Sequence, residues 1–132
     1  MPLAPQGRDL DSQAKAVVAA RAALDKQAEV VVVIDLRALS NVTDFFVVCT
    51  AGSERQMAAV KEHIEAVLAR RGASIWHTEG VSSSSSGTVR DPQWMLLDCG
   101  DIVIHVLDQR GREFYRLEEL WADAPRMPLP AA

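Results

Sequence analysis

The sharpest hydrophobic pattern in the chain is Trp94 to Val106, WMLLDCGDIVIHV, in which two apolar strands flank an Asp-Cys-Gly-Asp turn. Elsewhere the period changes. From about Ser12 to Lys26, Val17, Ala20 and Leu24 fall at helical spacing, and Val30 to Asp35 is a continuous run of the kind expected of a strand buried on both faces. A second strand runs from Thr43 to Thr50 through Phe45, Phe46, Val47 and Val48. Ser53 with Gln56 three residues later is a capping-box pattern, and Met57, Val60, Ile64 and Val67 carry one apolar face as far as Gly72. Ala73 to Thr78 predicts a short strand. Gly80 to Asp91 holds the run Ser82 to Ser86, which buries no apolar area, and is expected to be a mobile loop that tolerates shortening. Phe114, Leu117, Leu120 and Trp121 mark a short closing helix, after which Pro125, Pro128 and Pro130 stop regular structure and leave an extended tail.

The turn fixes the expected register of the hairpin. If Cys99-Gly100 forms the tight loop, with Gly100 taking a positive φ, Asp98 lies opposite Asp101 and the pairs become Leu97 with Ile102, Leu96 with Val103, Met95 with Ile104 and Trp94 with His105. One face then carries Met95, Leu97, Ile102, Ile104 and Val106, an aliphatic set suited to a core. The other carries Trp94, Leu96, Asp98, Asp101, Val103 and His105. A core needs neither an indole opposite an imidazole nor two like charges at a turn, so the second face reads as a recognition surface. The plainer alternative is that both Asp residues accept local N–H bonds in an ordinary turn, and that Trp94 and His105 fill space under a helix.

Composition narrows the class. A chain of 132 residues, 48% of them hydrophobic and 24% charged, is one domain with room for a core of its own. A formal net charge of −4 argues against a protein that tracks phosphates, and hence against direct sequence-specific nucleic-acid binding, and it suits a basic protein partner. The longest apolar runs, Val30 to Ile34 and Phe45 to Ala51, fall far short of the roughly 20 residues that span a bilayer. The start, MPLAPQGRD, lacks the basic-then-apolar order of a signal peptide, which sets the expectation of a cytoplasmic protein, and there Cys49 and Cys99 stay reduced and structural.

Catalytic readings find little support. Gly52-Ser53 at a helix start is the kind of Gly-Ser pair with which nucleotidyltransferases hold a nucleotide phosphate. Two-metal phosphoryl transfer also needs clustered carboxylates, commonly Asp-x-Asp or Asp-x-Glu on one strand face, and no such motif occurs: Asp98 and Asp101 straddle a turn, and Asp35 and Asp44 lie in unrelated segments. A loop glycine followed by an N-cap accounts for Gly52-Ser53. Cys49 has no evident His partner, and His63, His77, His105 and the two cysteines lack metal-ligand spacing, so no cofactor is expected. Arg112, Glu113, Arg116, Glu118 and Glu119 around the closing helix read as a solvated face.

Three blocks, DLRALSNVTDFFVVCTAGSERQ, WMLLDCGDIVIHV and REFYRLEELWADAP, together closely resemble the ribosomal silencing factor family, RsfS, also called Iojap-like, from about Ala14 to Ala124. The resemblance implies a small mixed-sheet α/β domain related to nucleotidyltransferases but without their catalytic carboxylates. It places the domain at residues 12–124, between an N-terminal extension (1–11) and a Pro-rich tail (125–132). It also implies a non-enzymatic protein that binds the large ribosomal subunit through the large-subunit protein numbered fourteen and hinders joining of the small subunit, and the family includes homodimers. The serine-rich segment between Glu79-Gly80 and Trp94 is longer than the family pattern. The expected contact residues are Trp94, Met95, Leu96, Asp98, Gly100, Asp101 and His105: an aromatic anchor with apolar neighbours, and carboxylates to meet Lys or Arg. Met95, on the core face of the expected register, reaches a partner only at a sheet edge or a twisted-open end.

Overall fold

The computed structural model describes residues 10–81 and 93–129. Among them the order is α1 (Ser12–Asp25), β1 (Glu29–Asp35), β2 (Phe45–Thr50), α2 (Glu54–Arg70), β3 (His77–Val81), β4 (Trp94–Asp98), β5 (Ile102–Leu107), α3 (Gln109–Tyr115), α4 (Leu117–Leu120) and β6 (Arg126–Met127). The strands form one mixed sheet in the order β3-β4-β5-β2-β1-β6. Only β2 and β5 run parallel, from Phe45 beside Ile102 to Thr50 beside Leu107; the other neighbours are antiparallel.

Local chemistry starts each long helix. The Asp11 carboxylate accepts from the Ala14 N–H at 2.8 Å, and the Ser53 hydroxyl accepts from the Gln56 N–H at 3.0 Å. The Gln56 side chain does more than the capping-box pattern implies. Its oxygen accepts from the Gly52 N–H while its amide donates to the carbonyls of Lys26 and Gln27, tying the start of α2 to the end of α1. Both helices lie on one face of the sheet. There Ala16, Ala19, Ala20, Ala22 and Ala23 let α1 approach closely, and Val60, Ile64 and Leu68 of α2 complete a core with Phe45, Val47, Leu97, Ile102, Ile104 and Val106. The opposite face is covered in part, by α3, α4 and the return to β6, over a smaller core of Ile34, Leu36, Val48, Leu107, Leu117 and Ala124.

Four elements differ from the sequence expectation. Strand β1 is buried on both faces only in its second half: Val33 lies in the α1–α2 core and Ile34 in the opposite one, with Val31 and Val32 half-buried against the same two cores, whereas Val30 takes φ +48° and is exposed. Gly80 and Val81 are strand, not loop, and β3 begins at His77, not Ala73; pairing with β4 holds this polar segment extended. The serine run lies outside the described residues. The tail is not wholly irregular, since Arg126 and Met127 pair with β1 and the Pro125 carbonyl accepts from the Asp35 N–H at 2.8 Å; proline flanks an edge strand without breaking a ladder. The closing helix is split at Arg116, whose φ of +50° turns the chain between α3 and α4, so Leu117 is buried while Phe114 and Leu120 face outward.

Candidate functional site

The β4–β5 hairpin closes one residue later than the sequence expectation. Cys99 donates to the Ile102 carbonyl at 2.9 Å, so Gly100 and Asp101 form the loop. The reason lies in φ: Gly100 sits at +88° while Cys99 and Asp101 do not take positive φ, which is the turn with glycine first and not the one that needs positive φ at both loop positions. The partners are therefore Trp94 with Leu107, Met95 with Val106, Leu96 with His105, Leu97 with Ile104 and Asp98 with Val103. Moving the turn by one residue shifts the pairing by two, an even step, so each strand side chain keeps its expected face.

On the face away from α1 and α2, Trp94, Leu96 and Asp98 line up along β4, with His77 and Glu79 of β3 on one side and Val103 and His105 of β5 on the other. His77 and Glu79 are exposed and share a hydrogen bond of 2.9 Å. Neither was singled out as a contact residue from the sequence; alternation along β3 would have placed them together, had the strand expected to end at Thr78 been carried on through Val81. Between β3 and β4 lies a shallow depression of about 450 Å³ lined by Glu79, Gly80, Trp94 and Leu96. The α3–α4 segment stops short of this part of the sheet. Leu96, Asp98 and Val103 stay partly open.

Trp94 and His105 form the inner wall. The indole N–H donates to His105 Nδ1 at 2.9 Å, and the ring packs on Tyr115 of α3 with centroids 4.5 Å apart. His105 is 3% exposed and meets Phe46 edge to face at 4.4 Å, so it belongs to the wall behind Trp94 and not to the open surface. Burial pushes its imidazole down to about 4, which keeps it neutral at physiological pH. Among the described residues its Nε2 has no hydrogen-bond partner. One hydrogen bond gained is worth about 1 kcal/mol and one buried group left unpaired costs about 1–3 kcal/mol, so stability alone does not favour an imidazole here.

The remaining expected residues part company. Met95 faces the α1–α2 core, as its register requires. Asp98 accepts from the Gly100 N–H at 2.8 Å, the local turn bond of the plainer reading. Asp101 turns to α1, where both carboxylate oxygens lie 3.1 Å from Lys15 Nζ. Gly100 lies beneath the ring of Trp76: a Cβ there would stand 2.7 Å from the indole, although Trp76 is itself 73% exposed. That contact joins a residue before β3 to a turn after β4, and no local pattern announces it.

The residues behind the catalytic alternatives are occupied otherwise. Ser53 and Gly52 are engaged in the start of α2. Asp35 is held by Arg37, whose hydrogen bonds keep its carboxyl below the usual range. Burial pushes the Cys49 thiol up to about 12 and that of Cys99 up to about 11, so neither is a thiolate nucleophile near neutral pH. Among the described residues no helix is long and apolar enough to cross a membrane.

Residues 9–132 match the family model described as ribosomal silencing factor during starvation. The chain belongs to the ribosomal silencing factor family. Among its relatives, the ribosomal silencing factor RsfS of Halalkalibacterium halodurans is 36% identical over 85% of this chain and 89% of its own length. That of Bacillus subtilis is 34% identical over 82% and 85%. The chloroplastic protein Iojap of Arabidopsis thaliana is 31% identical over 98% of this chain but only 50% of its own length. A crystal structure of a Chromobacterium violaceum protein covers 93% of this chain and 95% of its own with a TM-score of 0.73 at 25% identity. One from Bacillus halodurans covers 85% and 94% with a TM-score of 0.66 at 33% identity. Family membership makes this chain a translation regulator of the silencing type on an α/β scaffold.

Proposed function

We propose that the partly open sheet face of Trp94, Leu96, Asp98 and Val103, flanked by Glu79 and His77, binds the large ribosomal subunit through the large-subunit protein numbered fourteen and so blocks joining of the small subunit. The observation that carries this reading is the part of the face that no described residue covers. Apolar side chains stay accessible there around a shallow depression, with carboxylates at the margin, the arrangement of an apolar anchor with a charged rim. Binding is the whole mechanism: the protein is not an enzyme, acts in the cytoplasm, and excludes the small subunit sterically. Of the seven contact residues expected from the sequence, Trp94, Leu96 and Asp98 form the surface, Gly100 and Asp101 shape the adjoining corner with Trp76, and Met95 and His105 act from inside the fold.

Co-sedimentation with purified large subunits, with small subunits alone as the control, tests the first half of the proposal, and a subunit-joining assay tests the second. We expect pelleting with large subunits only, and a dose-dependent fall in joined ribosomes. Pelleting without inhibition of joining would reject the steric mechanism. Self-association is a separate proposal: β3 pairs on one side only among the described residues, and such an edge accepts a second strand. Sedimentation showing a monomer throughout the micromolar range would reject it.

A further inference from the structure

We propose that His105 is a positioning residue of this surface: without touching a partner, it fixes the indole of Trp94 so that only ring carbons are offered at the depression beside Leu96 and Glu79. The inference rests on the reading of that face as the ribosome-binding surface and adds how its anchor is held. An indole has one polar atom, a donor, and here it is spent inward on His105 Nδ1 at 2.9 Å. Nδ1 is therefore the bare nitrogen of the neutral ring, and the proton resides on the partnerless Nε2. Among the described residues the bond to Trp94 is thus the one hydrogen bond of either ring.

Packing restricts both partners further. The Trp94 ring lies between His105, with centroids 5.6 Å apart at 34°, and Tyr115, at 4.5 Å and 49°. His105 is backed by Phe46, and Phe46 by Trp121 at 5.9 Å and 85°. Swinging the indole outward would strip the imidazole of its last hydrogen bond inside a buried pocket, which opposes the motion. The neighbours of His105 across the sheet are Leu96 and Val48, so a purely packing role at this place is open to an aliphatic residue. For the partner the consequence is chemical. A group docking on Trp94 has no donor to satisfy and no N–H to desolvate, so an apolar surface or the flat stem of a long side chain fits and a lone carbonyl does not.

Three variants separate positioning from packing. His105→Leu keeps an apolar filler and removes the acceptor; His105→Asn restores an acceptor near the place of Nδ1; Trp94→Ala removes the anchor. The readouts are the indole N–H resonance of Trp94, assigned by its loss in the Trp94 variant, its exchange rate with solvent, and affinity for purified large subunits. We expect His105→Leu to fold with undiminished thermal stability, to shift that resonance upfield and speed its exchange, and to bind at least about tenfold more weakly. His105→Asn should recover the resonance and most of the affinity. A folded His105→Leu protein that binds like the parent while Trp94→Ala binds weakly overturns the positioning role and leaves the surface standing. Parental affinity in Trp94→Ala overturns the surface and this inference together. Should His105→Leu fail to fold, His105→Asn decides: loss of the resonance at parental affinity overturns the proposal, and retention of both supports it.

Discussion

Under α1 and α2 the sheet contributes Val33, Phe45, Val47, Cys49, Leu97, Ile102, Ile104 and Val106, all buried and without a single side-chain nitrogen or oxygen. On the opposite face the strands place an imidazole and an indole among aliphatic groups, α3 and the end of α4 add a phenol and a second indole, and among the described residues part of the face stays open. The same strands supply both, so neither strand propensity nor pairing accounts for the difference. The first face is composed as packing requires. The second keeps groups that are awkward to bury, directed towards the part of the sheet that no described residue covers, and it is there that the proposed partner would dock.

The contrast is sharpest where a single core residue is truncated. Ile104→Ala, in the middle of the helix-covered face, should cost about 3–4 kcal/mol in urea unfolding, as expected for a buried aliphatic side chain that leaves a cavity. A loss below about 1 kcal/mol would show that this face is as loosely filled as the other. The next largest effect belongs to pH. With the folded-state value of His105 near 4 against 6.5 for the free imidazole, the unfolded chain takes up the proton first as pH falls. This contribution to stability is complete above pH 6.5, is lost between 6.5 and 4, and amounts to about 3 kcal/mol. Unfolding of His105→Leu over the same range should lack that slope, and equal slopes in both proteins would place His105 in contact with water.

On the open side the effects move from stability to binding. Trp94→Ala should weaken large-subunit binding by at least about 2 kcal/mol, about thirtyfold, in a protein that still folds. Unchanged affinity would make Trp94 a core residue like Ile104 and erase the distinction between the faces. The smallest effect is expected at the corner. Asp101→Asn breaks the partly exposed pair with Lys15 and should cost about 0.5 kcal/mol. A gain in stability would restore the picture of two aspartates repelling across the turn.

Elements that carry their own instructions were readable from the sequence. The start of α2 is one, because Ser53 and Gln56 act within a single turn and Met57, Val60 and Ile64 continue at helical spacing. The hairpin is another. Its faces were readable even though its partners were not, since a register error of two residues preserves the side of the sheet. Strand β3 was placed too early and β6 was missed because a neighbour's backbone imposes them: HTEGV has little hydrophobic alternation, and Arg126-Met127 sits between prolines. The site divided in the same way. Trp94 and Leu96 could be placed from the pattern of their own strand, whereas Trp76 over Gly100 and Lys15 on Asp101 join segments far apart in the chain.

The parallel seam between β2 and β5 governs the order in which this architecture assembles. The pairs β1–β2 and β4–β5 are each joined by a short connection and can close early. The seam unites them only after α2 and β3 have been bridged, and that closure costs chain entropy before any pairing offsets it. Docking of the two hairpins is then the expected slow step, with Val47 beside Ile104 at the centre of the seam. Groups that settle afterwards, Trp94 against Tyr115 among them, should speed unfolding when altered and leave the folding rate alone, as denaturant-dependent kinetics of Trp94→Ala and Ile104→Val would show. Changes on the proposed ribosome-facing surface are thus expected to leave the folding rate of the scaffold that carries it unaltered.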